Sequence, residues 1–279
     1  MREVLAQVIT DTVRDLCIKA NIEIRPDVLA AIDKSLEYEE SATGIDMLQK
    51  LVLNAEIAVC DNLPICQDTG YVTVFVDLGQ DVAVSGNLTA AINEGVRRGY
   101  TEAYFRKSIV TKPLFERENT GDNTPAFINI DIVPGDSVKI TVMPKGGGTE
   151  NASRLEMLPV SGGVDAVRRF VLQAAENAAK SCPPVIVGVG IGGSFDKVGL
   201  LAKKALLRPL DAVNPDPQLA QLESELFAEV NKLGIGPGAL GGTVTALGLK
   251  IETMATHIAC LPCAVAFNCV ATRQAEAII

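Results

Sequence analysis

A mixed α+β fold is what this sequence predicts, helical over its first part and then built on a mixed sheet flanked by helices. Apolar side chains recur at helical spacing through residues 1–60. Three later runs, at 71–78, 127–143 and 185–189, are rich in β-branched residues, and patterns of helical period separate them. No repeat, charge block or low-complexity linker divides the chain, so residues 1–279 read as a single domain, with 1–60 as a helical scaffold and 61–279 as the part that carries the chemistry.

Leu5, Val8, Ile9, Val13, Leu16 and Ala20 stand three and four apart, which predicts an amphipathic helix over 2–20 with Cys17 beside its apolar face. Pro26 suits the first turn of a second helix to about Glu39, and Ser41 or Thr43 can cap a third that reaches about Cys60. Tyr71 to Leu78 reads as a strand, and Asn87 as the cap of a helix ending near Phe105. Ile128, Ile130 and Ile132, then Val138, Ile140 and Val142, alternate around Pro134-Gly135-Asp136, which predicts a hairpin. A helix from Val164 to about Ser181, a buried strand over 185–189 and a helix over Lys197 to Leu206 follow. Asn214-Pro215-Asp216-Pro217 is a turn that starts a helix to about Leu233.

Hydrophobic residues make up 48% of the chain, ample for a core. Net charge is -9, from 34 acidic and 25 basic side chains, a balance that repels phosphate backbones and argues against nucleic acid as a partner. No apolar run approaches the roughly 20 residues of a membrane span. The first residues lack the apolar core of a secretion signal, so the expected location is the cytoplasm. Seven cysteines, an odd number in a chain expected to be reduced, argue against a disulfide framework and leave buried thiols, metal ligation or catalysis. His257 is the only imidazole, which excludes any mechanism that needs two.

Cys66-Gln67-Asp68-Thr69-Gly70 sets a thiol beside a carboxylate inside a tight turn, a pattern that suits a metal ligand next to a reacting substrate. Cys182 precedes Pro183-Pro184, which forbid helix continuation, and Cys269 lies in Asn268-Cys269-Val270-Ala271-Thr272-Arg273. Gly188 to Gly193 has the spacing of a dinucleotide-binding turn, yet no second strand is visible where a βαβ unit needs one. Amides cradling a carboxylate or a cluster sulfur are the preferred reading there. Lys145-Gly146-Gly147-Gly148-Thr149-Glu150 is either a flexible surface loop or an anion cradle, and Asn119 to Thr124 has the chemistry of Asx-turns. His257, Cys260 and Cys263 invite a zinc reading, but no second Cys-x-x-Cys pair accompanies them, and apolar neighbours make Cys260 and Cys263 default core thiols. A lone His there defaults to a hydrogen-bonded core residue.

Ile65 to Gly70, Asn119 to Asn123, Pro144 to Asn151, Cys182-Pro183-Pro184, Gly192 to Asp196 and the spacing from His257 to Cys269, taken in order, resemble the iron-sulfur (class I) fumarases and L-tartrate dehydratases. The resemblance covers nearly the whole chain and is to their amino-terminal domain, or to the α subunit of two-chain members. It implies a 4Fe-4S cluster on Cys66, Cys182 and Cys269, with one iron lacking a protein ligand. Thiolates suit such ligation, and an uncommitted iron is a Lewis acid. It also implies Asp68 and His257 as catalytic groups, with Gln67, Arg106, Lys145 and Gly147 at the substrate, Arg106 in fork geometry on a carboxylate. The chain ends at Ile279, soon after Arg273, where single-chain relatives continue into a second domain. The expected partner is therefore a separate β subunit, in an α2β2 enzyme. The expected reaction is the hydration of fumarate to (S)-malate, as in the tricarboxylic acid cycle, with dehydration of L(+)-tartrate to oxaloacetate as the alternative. A nucleotide-binding oxidoreductase resting on Gly188 to Gly193 and a non-enzymatic iron-sulfur protein are the rivals from other classes.

Overall fold

The computed structural model describes residues 1–279, and they form the expected mixed α and β fold as two compact units whose segments alternate along the sequence. The first comprises Met1–Arg25, Ala55–Gly147 and Arg273–Ile279, and the second Pro26–Asn54 and Gly148–Thr272. Each has a four-stranded sheet with parallel and antiparallel neighbours.

In the first unit, strand β1 (Arg2–Leu5) leads into helix α1 (Ala6–Ile22). The expected helix begins four residues late because Arg2 to Leu5 pair in parallel with β3 (Val82–Ser85), a long-range contact that overrides local period. Ile9, Val13, Leu16, Cys17 and Ala20 form the buried face of α1, and helix α4 (Leu88–Glu102) packs on it. Asn87 caps α4, its side chain accepting from Ala90 N at 2.9 Å.

Strand β2 (Tyr71–Gly79) is the centre of the first sheet, parallel to β4 (Phe127–Val133) and antiparallel to β5 (Val138–Lys145), with β10 (Ala275–Ile278) beyond β5. The hairpin predicted from 127–143 is therefore absent, because β2 lies between its two arms. Residues 72–76 are all buried, so β2 requires a neighbour along both edges and wins both. The connection instead crosses the end of β2, where Gln80 N donates to Val133 O at 2.8 Å and Gly79 N to Ser137 O at 2.9 Å. β4 is left at the edge, where Ile128 still packs on the core but Ile130 and Ile132 are 45% and 74% exposed, so the expected apolar alternation is only partly used. Each fully buried aliphatic side chain here, such as Val74 or Ile140, contributes about 1.5–3 kcal/mol.

In the second unit, helices α2 (Pro26–Ser35) and α3 (Ala42–Cys60, which runs on into the first unit's sequence) are followed, beyond Gly148, by the sheet. After the short helix α5 (Gly147–Ala152) its elements are β6 (Arg154–Leu158), α6 (Gly163–Ala175), β7 (Val185–Gly192), α7 (Phe195–Ala205), α8 (Pro217–Asn231), β8 (Ala246–Met254) and β9 (Leu261–Asn268), with strand order β6-β9-β7-β8. The helix expected to reach Ser181 is α-helical only to Ala175 and tightens to a 3-10 turn over Glu176–Ser181, ahead of the two prolines. Asp216 caps α8, accepting from Gln218 N at 2.8 Å, with Pro217 in the first turn.

The glycines of 188–193 serve packing. A Cβ on Gly188 would sit 2.3 Å from Ala202 O, and one on Gly190 2.4 Å from Val198 O, so β7 and α7 approach backbone to backbone along this stretch. The second parallel strand that the sequence did not reveal exists, but it is β8, reached only after both α7 and α8. At Gly188 and Gly190 the glycines thus serve a helix–strand contact, and in the turn the amide of Gly193 donates to Met254 O at 3.2 Å rather than cradling an anion.

Candidate functional site

In the first unit the loop after α3 is anchored by buried Ile65, whose N–H donates to Asn21 O at 2.9 Å. Cys66 follows, half-buried, its Sγ donating to Gln67 Oε1 at 3.4 Å, with Gln67 itself exposed. Asp68 is half-buried and held at both oxygens: Gly70 N donates to Oδ1 at 3.1 Å and Gly147 N to Oδ2 at 3.0 Å. Two glycines make room for this. Gly70 has φ +70 and a Cβ there would stand 2.4 Å from Lys145 O, while a Cβ on Gly146 would stand 3.2 Å from Arg273 Nη2 and 3.3 Å from Asp68 Oδ2.

Lys145 ends β5 opposite Tyr71 and is 1% exposed. Arg106 is exposed, just beyond Phe105, which packs edge-on against Tyr100, and its carbonyl accepts from Thr69 Oγ1 at 2.9 Å. Of the candidates in this unit, Gln67 and Asp68 lie in the 66–70 loop, and the backbones of Gly147, Lys145 and Arg106 border it through these contacts. The glycine-rich segment after Lys145 is neither a free loop nor an empty cradle: α5 starts in it, and its first amide is already committed to Asp68.

In the second unit the backbone of Cys182 meets the residue that follows Cys269. Cys182 is exposed, in left-handed backbone with φ 55, and its carbonyl accepts from Val270 N at 3.4 Å. Cys269 is half-buried at the end of β9, its carbonyl accepting from Thr272 Oγ1 at 2.8 Å. Gly148 borders the same segment, since Ser181 Oγ donates to Gly148 O at 3.4 Å. His257 sits in the turn between β8 and β9 and is exposed rather than the core residue its apolar neighbours suggested. Its Nδ1 accepts from Ala259 N at 3.1 Å, which leaves Nε2 as the ring nitrogen available to donate.

A family model described as Fumarate hydratase (Fumerase) matches residues 10–278. The chain belongs to the fumarate hydratase family. It is 38% identical over 275 residues to a Methanocaldococcus jannaschii protein provisionally described as L(+)-tartrate dehydratase subunit alpha, a match covering 96% of each chain. It is 32% identical over 276 residues to L(+)-tartrate dehydratase subunit alpha of Escherichia coli K12, covering 97% of this chain and 90% of that one. The corresponding subunit of E. coli UTI89 is 33% identical over 271 residues, 95% of this chain and 89% of its own.

Within this family member the seven thiols divide by environment. Cys17 and Cys263 are fully buried, and burial pushes both up, Cys263 to about 12, so they stay neutral and are inert as ligands. The other five thiols are half-buried or exposed, a setting in which a thiolate can meet iron: the expected ligands Cys66, Cys182 and Cys269 are among them, with Cys60 at the end of α3 and Cys260, which is not the core thiol its neighbours suggested. The donor chemistry of these residues therefore fits an iron-sulfur cluster. Neither unit by itself contains a group of three or more His, Cys, Asp or Glu side chains that could hold a metal ion, and His257, Cys260 and Cys263 in particular form no zinc set. No helix of the chain is long and apolar enough to cross a membrane. Asn21 and Tyr100 have no role assigned from sequence, and their polarity inside an apolar helical period is the available signal.

Proposed function

We propose that this chain is the α subunit of a two-chain hydro-lyase that interconverts fumarate and (S)-malate. The observation that carries the reading is Asp68: a half-buried carboxylate with each oxygen fixed by one backbone N–H, two residues beyond a half-buried thiol. On this reading Cys66, Cys182 and Cys269 hold a 4Fe-4S cluster with one iron free of protein ligands. When bound, such a cluster supplies a Lewis acid for the substrate hydroxyl.

The chain's own residues then divide the remaining work. Asp68 handles a proton at the C2 oxygen of malate, or assists a hydroxyl of the β subunit in taking the C3 proton, so that water is the product that leaves with fumarate. Arg106 grips one substrate carboxylate in fork geometry, and Gln67 donates its amide N–H to the same dianion. Lys145, buried at the end of β5, adds positive potential, and Gly147 lines the site with its N–H engaged by Asp68. His257 donates from Nε2 to the second carboxylate. Because a chain of charge -9 offers a dianion few cations, the β subunit brings the rest, in a cytoplasmic α2β2 assembly in which residues 1–279 act as one catalytic half.

Dehydration of L(+)-tartrate is the second reading, and the names of the relatives favour it. Anaerobic reconstitution with iron and sulfide, alone and with the β chain, tests both. Thiolate-to-iron absorbance should disappear in Cys66→Ser, Cys182→Ser and Cys269→Ser and persist in Cys17→Ser and Cys60→Ser. Turnover should require the β chain, and the ratio of rates on malate and tartrate chooses between the substrates. A full absorbance band in Cys182→Ser, or no turnover of either acid by the loaded two-chain enzyme, would overturn the reading.

A further inference from the structure

Beneath Asp68 the loop backbone is gripped at three successive positions. The carbonyl of Asp68 accepts from Arg273 Nη1, that of Thr69 from the Tyr100 hydroxyl at 2.6 Å, and that of Gly70 from Asn123 Nδ2 at 3.1 Å. The three donors come from separate places, the segment before β10, helix α4 and the loop before β4, and are 3%, 0% and 0% exposed. Loop carbonyls ordinarily face water, which costs nothing. Committing three buried polar side chains to consecutive ones makes the loop backbone as fixed as a strand.

The donors are themselves held. Asn21 joins two of them, its Oδ1 accepting from Arg273 Nη1 at 3.5 Å and its Nδ2 donating to the Tyr100 oxygen at 3.4 Å and to Cys17 O at 2.9 Å. Burial pushes the Tyr100 hydroxyl up, so it stays a neutral donor. Arg273 spends a buried positive charge on a carbonyl and an amide oxygen rather than on a carboxylate, with its Nε unpartnered. Such a placement is expensive for stability alone, since an uncharged donor would reach one carbonyl at lower desolvation cost. The same grip extends to the next candidate: Thr69 Oγ1 donates to Arg106 O at 2.9 Å, and Asn123 Oδ1 accepts from Ser108 N at 2.7 Å.

We propose that Arg273, Tyr100 and Asn123 are positioning residues that clamp the 68–70 backbone, so that the Asp68 carboxylate and the start of the Arg106 segment keep one mutual geometry through the reaction. The inference rests on the reading of Asp68 as a proton-handling group. Preorganisation of this kind has a known scale, since a displacement of about 1 Å at a reacting group costs roughly 10²-fold in rate.

The test uses Arg273→Lys, Tyr100→Phe and Asn123→Ser in the full-length chain, with Val96→Ala in the same core as a control matched for lost stability. Without cluster or β chain, amide hydrogen exchange at Gly70 and Gly147, the two donors to Asp68, should quicken by about tenfold or more in the clamp variants and not in the control. In the loaded two-chain enzyme the same variants should lose about 10–100-fold in kcat with KM within about threefold, and millimolar guanidinium should restore part of the kcat lost by Arg273→Ala. Unchanged amides would overturn the clamp, as would quickened amides with an unchanged kcat. If Arg273→Lys does not fold, Tyr100→Phe, which removes a single oxygen, decides alone. A wild-type enzyme that turns over neither dicarboxylate would instead sink the functional reading, an outcome separate from the behaviour of the amides.

Discussion

Glu39 in the second unit and Asp68 in the first are both carboxylates held by backbone N–H groups beside glycines, but the degree of satisfaction differs. Glu39 is 5% exposed and takes Ser41 N at 2.8 Å and Thr243 N at 3.0 Å on one oxygen and Val244 N at 2.8 Å on the other. Asp68 is half-buried, with a single N–H on each oxygen. A buried carboxylate with three backbone donors ties two loops together and has no path to a ligand. One with lone pairs to spare and a path to solvent is oriented yet still reactive. The same backbone chemistry therefore serves architecture in one unit and, on the proposed reading, catalysis in the other.

The sharpest way to break this contrast is to neutralise each acid. Asp68→Asn should lower kcat of the loaded two-chain enzyme by about 10²–10⁴-fold while leaving the thermal midpoint of the chain unchanged. Glu39→Ala should do the reverse. Three N–H groups lose their acceptor, so the chain should be destabilised by about 1–3 kcal/mol in urea titration, with kcat per folded molecule intact. If the two variants behaved alike, the contrast would be wrong.

The glycines sharpen it. A Cβ on Gly242, where φ is +142, would stand 2.6 Å from Glu39 Oε1, so Gly242→Ala should cost about 1–3 kcal/mol of stability. On Gly146 the nearest atoms are ends of side chains, at 3.2 and 3.3 Å, so Gly146→Ala should barely move the urea midpoint but displace Asp68 and lower kcat by about tenfold. The smallest effect is one of pH. Burial alone would raise Glu39, but its three backbone donors outweigh that and hold it below the ordinary carboxylate range. Its contribution is complete above the unfolded Glu value, about 4.3, and is lost as pH falls through the lower folded value. Glu39→Gln should therefore show a shallower loss of urea midpoint between about pH 5 and pH 3 than the unmodified chain.

Local elements were legible where one face alone is buried. The period of Ile9, Val13 and Leu16 in α1, the Asn87 cap of α4 and the Asp216-Pro217 start of α8 all stand as read. β8 and β9 were not assigned, because strands buried on both faces show no alternation and their glycines and small residues resemble turns. The 127–143 hairpin failed for a related reason: the turn residues are there, but the competition for an edge is decided by β2, more than fifty residues earlier in the chain. At the candidate site the loop motif, its cysteine and its acid were visible, whereas the donors from Tyr100, Asn123 and Arg273 were not. A single polar residue within an apolar pattern signals burial of a donor without naming its acceptor.

The amino-acid sequence by itself determined the chemical inventory: accessible-loop thiols, one acid in a glycine turn, one imidazole, a negative chain, and motifs whose order marks the family. Tertiary structure alone decided which amides reach Asp68, which thiols are neutral in a core, and which glycines pack a helix rather than cradle a charge. The division follows from range. Residue type and period act over a few neighbours, while burial and hydrogen-bond partners depend on contacts such as Asp68 with Arg273, 205 positions apart, which exist only once the core has closed.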